Sequence, residues 1–200
     1  MSYDGLGKRL FAACYDLLNA GAEGRVIPFR RPTAGASEGS VLDIVGGPGA
    51  NLAHYPPSTR ITVLEPNPHM VRRLKRSADR LGRPVIVVRG VGESIPVADA
   101  SVDSVVTTLV LCMVADVAQV VREARRVLKP GGQFLFYEHV ASLNPRTRVW
   151  QARLNPCWRF CTTGCNLDRD IAGEIQRAGF AAVELRRFSL SVGWPVKIPN

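Results

Sequence analysis

Residues 41–51 read Val41-Leu42-Asp43-Ile44-Val45-Gly46-Gly47-Pro48-Gly49-Ala50-Asn51, an apolar run that enters a glycine-rich turn. The run predicts a buried strand over 41–45, followed by the turn at 46–49. Glycine has no Cβ, so the backbone of such a turn can approach a bound molecule closely. A second predicted strand over 60–65 ends in Glu65, whose carboxylate can accept two hydrogen bonds from a ribose diol. The combination predicts the nucleotide-binding half of a Rossmann-type sheet and a cofactor that contains adenosine.

The rest of the chain continues as strands alternating with helices. The further strands are predicted at 85–88, 103–109, 133–138 and 181–188, and the helices at 1–24, 68–81, 117–128 and 168–178. A short helix is expected to begin near Ala50, residues 28–40 to form a loop, and residues 146–165 to be partly helical. This order predicts an α/β fold: a Rossmann-like, doubly wound, mainly parallel sheet with helices on both faces. The prolines of 193–199 make a final strand there unfavourable, so six strands are expected, without the usual last antiparallel one.

Length and composition are those of one soluble globular domain, with 200 residues and 46% hydrophobic content. Within it, 1–40 is expected to lie over the site, 41–140 to bind the cofactor, and 141–200 to form the acceptor side. The sequence contains no run of about 18 apolar residues, so no membrane-spanning helix is expected. The N-terminus lacks the apolar core of a secretory signal, so a cytoplasmic location is expected.

A net charge of +9 arises from 26 basic and 17 acidic residues. Much of the excess lies on two predicted helices, where a solvated helix face is its ordinary explanation. Attraction to an acidic substrate or an anionic membrane surface is the alternative. No aromatic interleaving or nucleic-acid motif accompanies the charge, so no nucleic-acid partner is expected. The oligomeric state is left open.

Five cysteines in a chain without a signal peptide indicate free thiols. Three of them, Cys157, Cys161 and Cys165, recur every four residues. This is not a usual zinc spacing and no histidine is near in sequence, so no metal is expected.

Five motifs in order resemble those of class I S-adenosylmethionine-dependent methyltransferases. They are the glycine turn of 42–49, Glu65-Pro66-Asn67, Gly92-Glu93-Ser94-Ile95-Pro96, Ser101-Val102-Asp103-Ser104-Val105-Val106, and Val127-Leu128-Lys129-Pro130-Gly131-Gly132. The resemblance implies S-adenosylmethionine as cofactor and methyl transfer as the activity. The cofactor-binding residues that it implies are Asp43, Gly46, Gly47, Gly49, Asn51, Glu65, Pro66, Asn67, Gly92, Glu93, Thr108, Leu109 and Val110. In this set Glu65 would hold the ribose hydroxyls, and Gly92 and Glu93 would line the adenine.

The connecting segments resemble a narrower branch, the alkyl thiol methyltransferases of animals and their bacterial relatives. These segments are Gly49-Ala50-Asn51, Tyr55-Pro56-Pro57, Thr108-Leu109-Val110-Leu111-Cys112, Tyr137-Glu138-His139-Val140 and Gly164-Cys165-Asn166-Leu167. The resemblance implies a small, lipophilic acceptor, a thiol or another small molecule.

Two catalytic candidates, Glu138 and His139, stand at the carboxyl end of the predicted fifth strand, where ligands of such sheets bind. His139 is expected to act as general base or to hydrogen-bond the acceptor, and the alternative is a strand-end residue satisfied by the backbone. The residues expected to contact the acceptor are Tyr15, Cys112, Trp158 and Asn166.

Val45 departs from the family's pattern of acid-x-Gly-x-Gly-x-Gly, because it stands at the first glycine. A β-branched residue resists a positive φ, so a backbone shift at Gly46 or a narrowed pocket is expected. The alternative function is therefore a methyltransferase-fold protein that transfers no methyl group, such as a cyclase or a binding protein.

Overall fold

Five parallel strands form the central sheet of the computed structural model, which describes residues 23–162, 164–187, 189–191 and 197–199. The strands are β1 (Ser40–Ile44), β2 (Arg60–Leu64), β3 (Val85–Val88), β4 (Val102–Thr108) and β5 (Leu128–Tyr137). Their spatial order is β3-β2-β1-β4-β5. Every neighbouring pair runs parallel, and β1 lies between β2 and β4. The predicted doubly wound parallel sheet is confirmed.

Helices cover both faces of this sheet. They are α1 (Glu23–Thr33), α2 (Pro68–Leu81), α3 (Val117–Val127), α4 (Pro145–Cys161) and α5 (Ile171–Arg177), and a 3₁₀ turn, Ala34–Ala36, follows α1. One apolar cluster joins Val41 of β1 to Leu74 of α2, and the other joins Leu42 of β1 to α3 and α5. Successive β1 residues thus face opposite layers, which explains why the strand is apolar throughout.

The strand order reverses between β1 and β4, because the chain moves outward through β2 and β3 and then returns. In open α/β sheets, ligands bind outside the carboxyl ends of the strands at such a reversal. The loops after Ile44 and Thr108 lie at this position. The topology alone therefore places the candidate site at the carboxyl ends of β1 and β4.

The predictions for β3 and α2 are confirmed at every boundary. Helix α2 begins at Pro68 because Asn67 caps it, accepting a hydrogen bond from the His69 N–H at 2.9 Å. It ends at Leu81, and Gly82 after it takes the left-handed conformation common after helices. These local signals lie within the sequence itself, which is why the bounds were predictable.

The loop predicted over 28–40 is wrong in its first half, since α1 continues through Pro28 and Pro32 to Thr33. Val26, Arg30 and Thr33 are buried, a spacing of four and three residues that places them on one helical face. Burial of this face outweighs the hydrogen bonds that the two prolines cannot make. The predicted helix at 1–24 and its Tyr15 lie outside the described residues, apart from its last two positions.

No helix begins near Ala50 in the described chain, contrary to the prediction. Consecutive turns form there instead, in which an N–H group donates to the carbonyl three residues earlier. The pairs are Gly49 with Gly46, Leu52 with Gly49, and His54 with Asn51. Strand β5 also differs from its prediction, because it begins at Leu128. The 129–132 segment bulges out of the ladder, so that Val102 pairs with Leu128 while Ser104 pairs with Gln133.

The strand predicted over 181–188 is wrong, since residues 182–187 have no regular structure. Phe180 packs on Phe134 of β5 instead, with ring centroids 5.7 Å apart. A separate antiparallel pair follows, β6 (Ser189–Ser191) with β7 (Lys197–Pro199). The prolines therefore do not prevent a strand there, because Pro199 occupies its last position. None of the helices in the described ranges is long and apolar enough to cross a membrane.

The turn at Gly49 generates a prediction about stability. Gly49 has a φ of 86°, and a Cβ there would lie 2.8 Å from Leu74 and 2.9 Å from Leu52. Gly82 has a φ of 60° but no heavy atom within 4 Å of such a Cβ. We expect Gly82→Ala to lower the free energy of unfolding by about 1 kcal/mol through backbone strain. Gly49→Ala should lower it by a further 1–3 kcal/mol, roughly, through overpacking.

Urea denaturation of the two variants and the parent measures both values. Equal losses for the two variants would show that the Leu52 and Leu74 side chains yield without cost, contrary to the packing argument.

Candidate active site

Two strained residues flank the point where the strand order reverses. Val45, after β1, has a φ of 53°, and Leu109, after β4, has a φ of 57°. For a β-branched residue such as Val45, this conformation costs roughly 1–3 kcal/mol. The expected backbone shift at Gly46 is wrong, because Val45 itself adopts the positive φ. The loop therefore keeps left-handed backbone at the family's first glycine position, and the non-transferring alternative gains no support from it.

A buried polar network lies beneath this loop. The Asn51 amide donates to both oxygens of Asp43, at 3.3 and 3.1 Å, and to Thr108 Oγ1 at 3.2 Å. Arg30 of α1 donates to Asn51 Oδ1 at 2.6 Å. Burial raises the pKa of Asp43 to about 6, although Tyr55, Asn51 and Arg30 each lower it. The Tyr55 hydroxyl nevertheless makes no hydrogen bond of normal geometry within the described residues. Asp43 and Asn51 thus hold the loop from below.

Arg30 is the site residue that sequence reasoning missed. It is 5% exposed, and its guanidinium ties α1 to the loop through Asn51. The burial spacing of α1 carried a signal, but the two prolines concealed the helix from which the spacing would be read.

Glu65 lies at the tip of β2, where a ribose-binding acid is needed. Its carboxylate accepts hydrogen bonds from the N–H groups of Gly47, at 3.0 Å, and Asn67, at 2.8 Å. Above the loop, a Cβ on Gly47 would meet no heavy atom within 4 Å. An open glycine face beside a buried acid fits an adenosine cofactor whose methionine part crosses the loop. Pro66 and Asn67 follow directly, and Asn67 also caps α2.

Glu93 is directed at the backbone. Its carboxylate accepts from the N–H of Ala115 at 2.8 Å and of Asp116 at 3.4 Å, just before α3. Gly92 is buried, and a Cβ there would lie 3.1 Å from Val120 and 3.3 Å from Ile44. The pair therefore joins the 92–93 loop to the base of α3, beside the crevice.

Glu138 is buried behind the loop that follows β4. Its two oxygens accept from the N–H groups of Val110, at 3.0 Å, and Cys112, at 3.4 Å. Burial raises the pKa of Glu138 to about 7, although the backbone N–H groups and His139 lower it. In this arrangement Glu138 orients the 109–112 loop, while His139 beside it is half-buried at the edge of the sheet.

The structure joins three segments that are distant in sequence. His139 Nδ1 lies 3.4 Å from Cys165 Sγ, and Cys165 Sγ lies 3.3 Å from Cys112 Sγ. The side-chain and backbone N–H groups of Asn166 both donate to the Cys112 carbonyl, at 2.8 and 2.9 Å. The contact between the two thiols lowers the pKa of Cys165 and raises the pKa of Cys112, which burial raises further. Asn166 thereby holds the two thiols together.

Trp158 of α4 completes this side of the site, with its ring edge-on to His139 at a centroid distance of 6.5 Å. Its indole N–H lies close enough to Cys165 to help lower the pKa of that thiol, but it forms no normal hydrogen bond to a described residue. Other aromatic residues of α4 point away from the site: Trp150 is 60% exposed and Phe160 is 88% exposed. Of the four residues expected to contact the acceptor, Cys112, Trp158 and Asn166 lie together, and Tyr15 lies outside the described chain.

Comparisons with known proteins agree with this geometry. Residues 42–136 match the family model described as a methyltransferase domain. The chain is 39% identical to thiol S-methyltransferase TMT1A of Homo sapiens over 80% of its own length and 68% of that protein. It is 36% identical to the human TMT1B enzyme, over 81% of its own length and 68% of the relative. The crystal structure of YcgJ from Bacillus subtilis superposes with a TM-score of 0.68 at 25% identity, covering 84% of this chain and 71% of that one.

A Rossmann-like sheet, a glycine loop over a buried acid and a match to the methyltransferase domain define a class I S-adenosylmethionine-dependent methyltransferase. S-adenosylmethionine is the cofactor. Within this class, the chain belongs to the family of the thiol S-methyltransferases TMT1A and TMT1B.

Val45 generates the first prediction for the site. Because the loop already has a positive φ at residue 45, Val45→Gly leaves the backbone path unchanged. We expect the dissociation constant for S-adenosylhomocysteine to change by less than about threefold, under about 1 kcal/mol. Titration calorimetry of parent and variant measures this. Binding that appears only in the variant would show that the valine blocks the cofactor loop.

Glu138 generates a prediction about pH. Its folded-state pKa of about 7 exceeds the ordinary 4.5, so the folded protein holds this proton over a range in which the unfolded chain has lost it. The contribution of Glu138 to the free energy of unfolding is therefore greatest below pH 4.5 and is lost as pH rises to about 7. Relative to Glu138→Gln, the parent should lose about 3 kcal/mol over this range.

Urea unfolding at several pH values measures the difference. Glu123→Gln is the matched control, because Arg126 lowers the pKa of Glu123 and its pH dependence must have the opposite sign. A parallel pH profile for the parent and Glu138→Gln would contradict the assignment of a buried, protonated carboxyl.

Proposed function

We propose that this protein transfers the methyl group of S-adenosylmethionine to the sulfur of a small, lipophilic thiol. The observation that carries the proposal is the meeting of three sequence segments, 108–112, 137–140 and 164–167, at the carboxyl end of β4 and β5. Contacts of 3.3 and 3.4 Å between Cys112, Cys165 and His139 join them. These are three of the segments that resemble the alkyl thiol methyltransferases.

The family relationship supports the same acceptor class. Two human relatives with the printed name thiol S-methyltransferase match about four fifths of the chain at 39% and 36% identity. A thiol has a pKa of roughly 8.5 and is readily deprotonated, so it suits a site whose described residues place only a histidine, His139, at the rim.

When bound, S-adenosylmethionine supplies a methyl group activated by a positively charged sulfur. The chain's own contribution is alignment and exclusion of water. Glu65 and the glycine loop hold the cofactor end, and Glu138 holds the 109–112 loop that separates this end from the acceptor. Trp158 and His139 border the acceptor end, where an apolar wall beside a polar ring suits a small lipophilic thiol.

A cytoplasmic location is also part of the proposal. The three cysteines whose state the structure describes, Cys112, Cys157 and Cys165, are free thiols, and a reducing compartment keeps them so.

The test is methyl transfer from labelled S-adenosylmethionine to matched acceptors with one carbon skeleton that carry a thiol, a hydroxyl or an amine. We expect label on the thiol alone, with S-adenosylhomocysteine formed in equal amount. Glu65→Gln should weaken cofactor binding about 10- to 100-fold, because it removes the charge from a buried hydrogen-bond acceptor.

Glu38→Gln is the matched control, since Glu38 is exposed at the amino end of β1. Its cofactor affinity should equal that of the parent. Cofactor binding together with transfer to the hydroxyl or amine, and none to the thiol, would contradict the acceptor assignment while leaving the methyltransferase class intact.

A further inference from the structure

Three soft ligand atoms converge beside the candidate acceptor site. The sulfur atoms of Cys112 and Cys165 and a ring nitrogen of His139 all lie within 4.8 Å of one another. Cys112 and Cys165 are buried, and His139 is half-buried. Cys112 lies in the loop after β4, His139 lies just after β5, and Cys165 lies in the segment after α4. No local spacing motif in the sequence therefore indicates that they meet.

Their separations are those of ligands around one small cation. Tetrahedral zinc, with Zn–S of about 2.3 Å and Zn–N of about 2.0 Å, holds neighbouring ligand atoms roughly 3.5–3.8 Å apart. The observed Sγ–Sγ and Nδ1–Sγ distances are 3.3 and 3.4 Å. These two separations are within a few tenths of an ångström of the tetrahedral values, and the third pair, His139 with Cys112, lies within 4.8 Å. A disulfide would need the two sulfurs to close by more than about 1 Å.

Hydrogen bonds with neighbouring polar side chains hold the segment around Cys112 in place without a bound cation. Asn166 bonds twice to the Cys112 carbonyl, at 2.8 and 2.9 Å, which places Cys165 against Cys112. Glu138 accepts from the N–H of Cys112 at 3.4 Å and immediately precedes His139. The backbone of Cys112 is thus held by two buried polar side chains, and His139 and Cys165 are the sequence neighbours of Glu138 and Asn166.

We propose that Cys112, His139 and Cys165 bind one thiophilic divalent cation of the zinc type, and that the acceptor thiol takes its fourth position. Two cysteines and one histidine with an open position form a catalytic rather than a structural zinc pattern. The cation-binding part stands on the cluster geometry alone. The acceptor part rests on the proposed function, and it explains why the site needs no strong base.

The acceptor thiol coordinates through sulfur and releases its proton to solvent, because metal-bound thiols are deprotonated. The acceptor sulfur then forms a bond to the methyl carbon. The bond from that carbon to the sulfonium sulfur breaks, and its electron pair stays on the departing S-adenosylhomocysteine. The product thioether is neutral and a weaker ligand, so it leaves the cation.

The first test uses the full chain purified with reductant. Elemental analysis should find one zinc per chain, and cobalt(II) substitution should give the sulfur-to-cobalt charge-transfer absorption that requires thiolate ligands. Cys112→Ser, Cys165→Ser and His139→Ala should each lose the metal. Cys157→Ser, an exposed cysteine of α4, is the matched control and should keep it.

S-adenosylhomocysteine binding by calorimetry shows that each variant is folded, and we expect less than about a threefold change. The cobalt spectrum of the parent needs no variant, so a variant that fails to fold does not prevent the test. A reduced parent protein that binds neither zinc nor cobalt through sulfur would overturn the proposal. A Cys112–Cys165 disulfide in place of a bound cation would also overturn the proposal, and it would identify the two cysteines as a redox pair.

Thiol methylation by metal-depleted and zinc-loaded protein separates the two proposals. Activity that requires zinc supports acceptor coordination. Equal activity without metal would overturn the acceptor part while the proposed function stands. Zinc binding without any thiol methylation, in protein that binds S-adenosylhomocysteine, would overturn the proposed function and leave the cation site intact.

Discussion

The buried carboxylate of Asp43 is the point to which the cofactor loop is tied. It lies at the end of the central strand β1 with its oxygens covered by Asn51, and Arg30 reaches the same amide from α1. A buried carboxylate must be satisfied by hydrogen bonds or neutralised, so its partners cannot be placed freely. Asn51 also bonds Thr108, which connects the loop after β1 to the end of β4. One acid thus sets the relative position of α1, the glycine loop and the neighbouring strand.

The strain at Val45 and Leu109 depends on this rigidity. Residues without glycine's freedom persist at positive φ only where the surroundings over-determine the backbone. Leu109 donates its N–H to the Tyr137 carbonyl at 2.8 Å, and Glu138 holds the next residue, Val110. Val45 lies between the buried end of β1 and the loop that Asn51 anchors. The two strained residues therefore lie at the boundary between the packed sheet and the loops that form the candidate site.

Several polar residues that the resemblance places near the ligand form hydrogen bonds to backbone groups of the neighbouring loops in the described structure. Glu93 holds the start of α3, Glu138 holds the 110–112 loop, and Asn166 holds Cys112. A polar residue at the end of a parallel strand is close to the ligand and equally close to the loops around it. Sequence gives the position of such a residue in the strand but not the group toward which its side chain turns. The loops around the site are therefore held in place by Glu93, Glu138 and Asn166.

The sequence by itself determined the class of fold, the positions of the five sheet strands along the chain to within a few residues, the bounds of β3 and α2, and the position of Glu65 beside the glycine turn. Each of these follows from signals that act over a few residues, namely apolar periodicity, caps and glycine turns. Tertiary structure alone decided the helix through Pro28 and Pro32, the burial of Arg30, and the meeting of Cys112, His139 and Cys165. The regular spacing in the sequence groups Cys157, Cys161 and Cys165, but Cys157 is exposed, and the cysteines in contact are Cys112 and Cys165. The physical reason is that side chains 26 or more residues apart meet only when the strands take their places side by side in the sheet. No local sequence pattern encodes that spatial order.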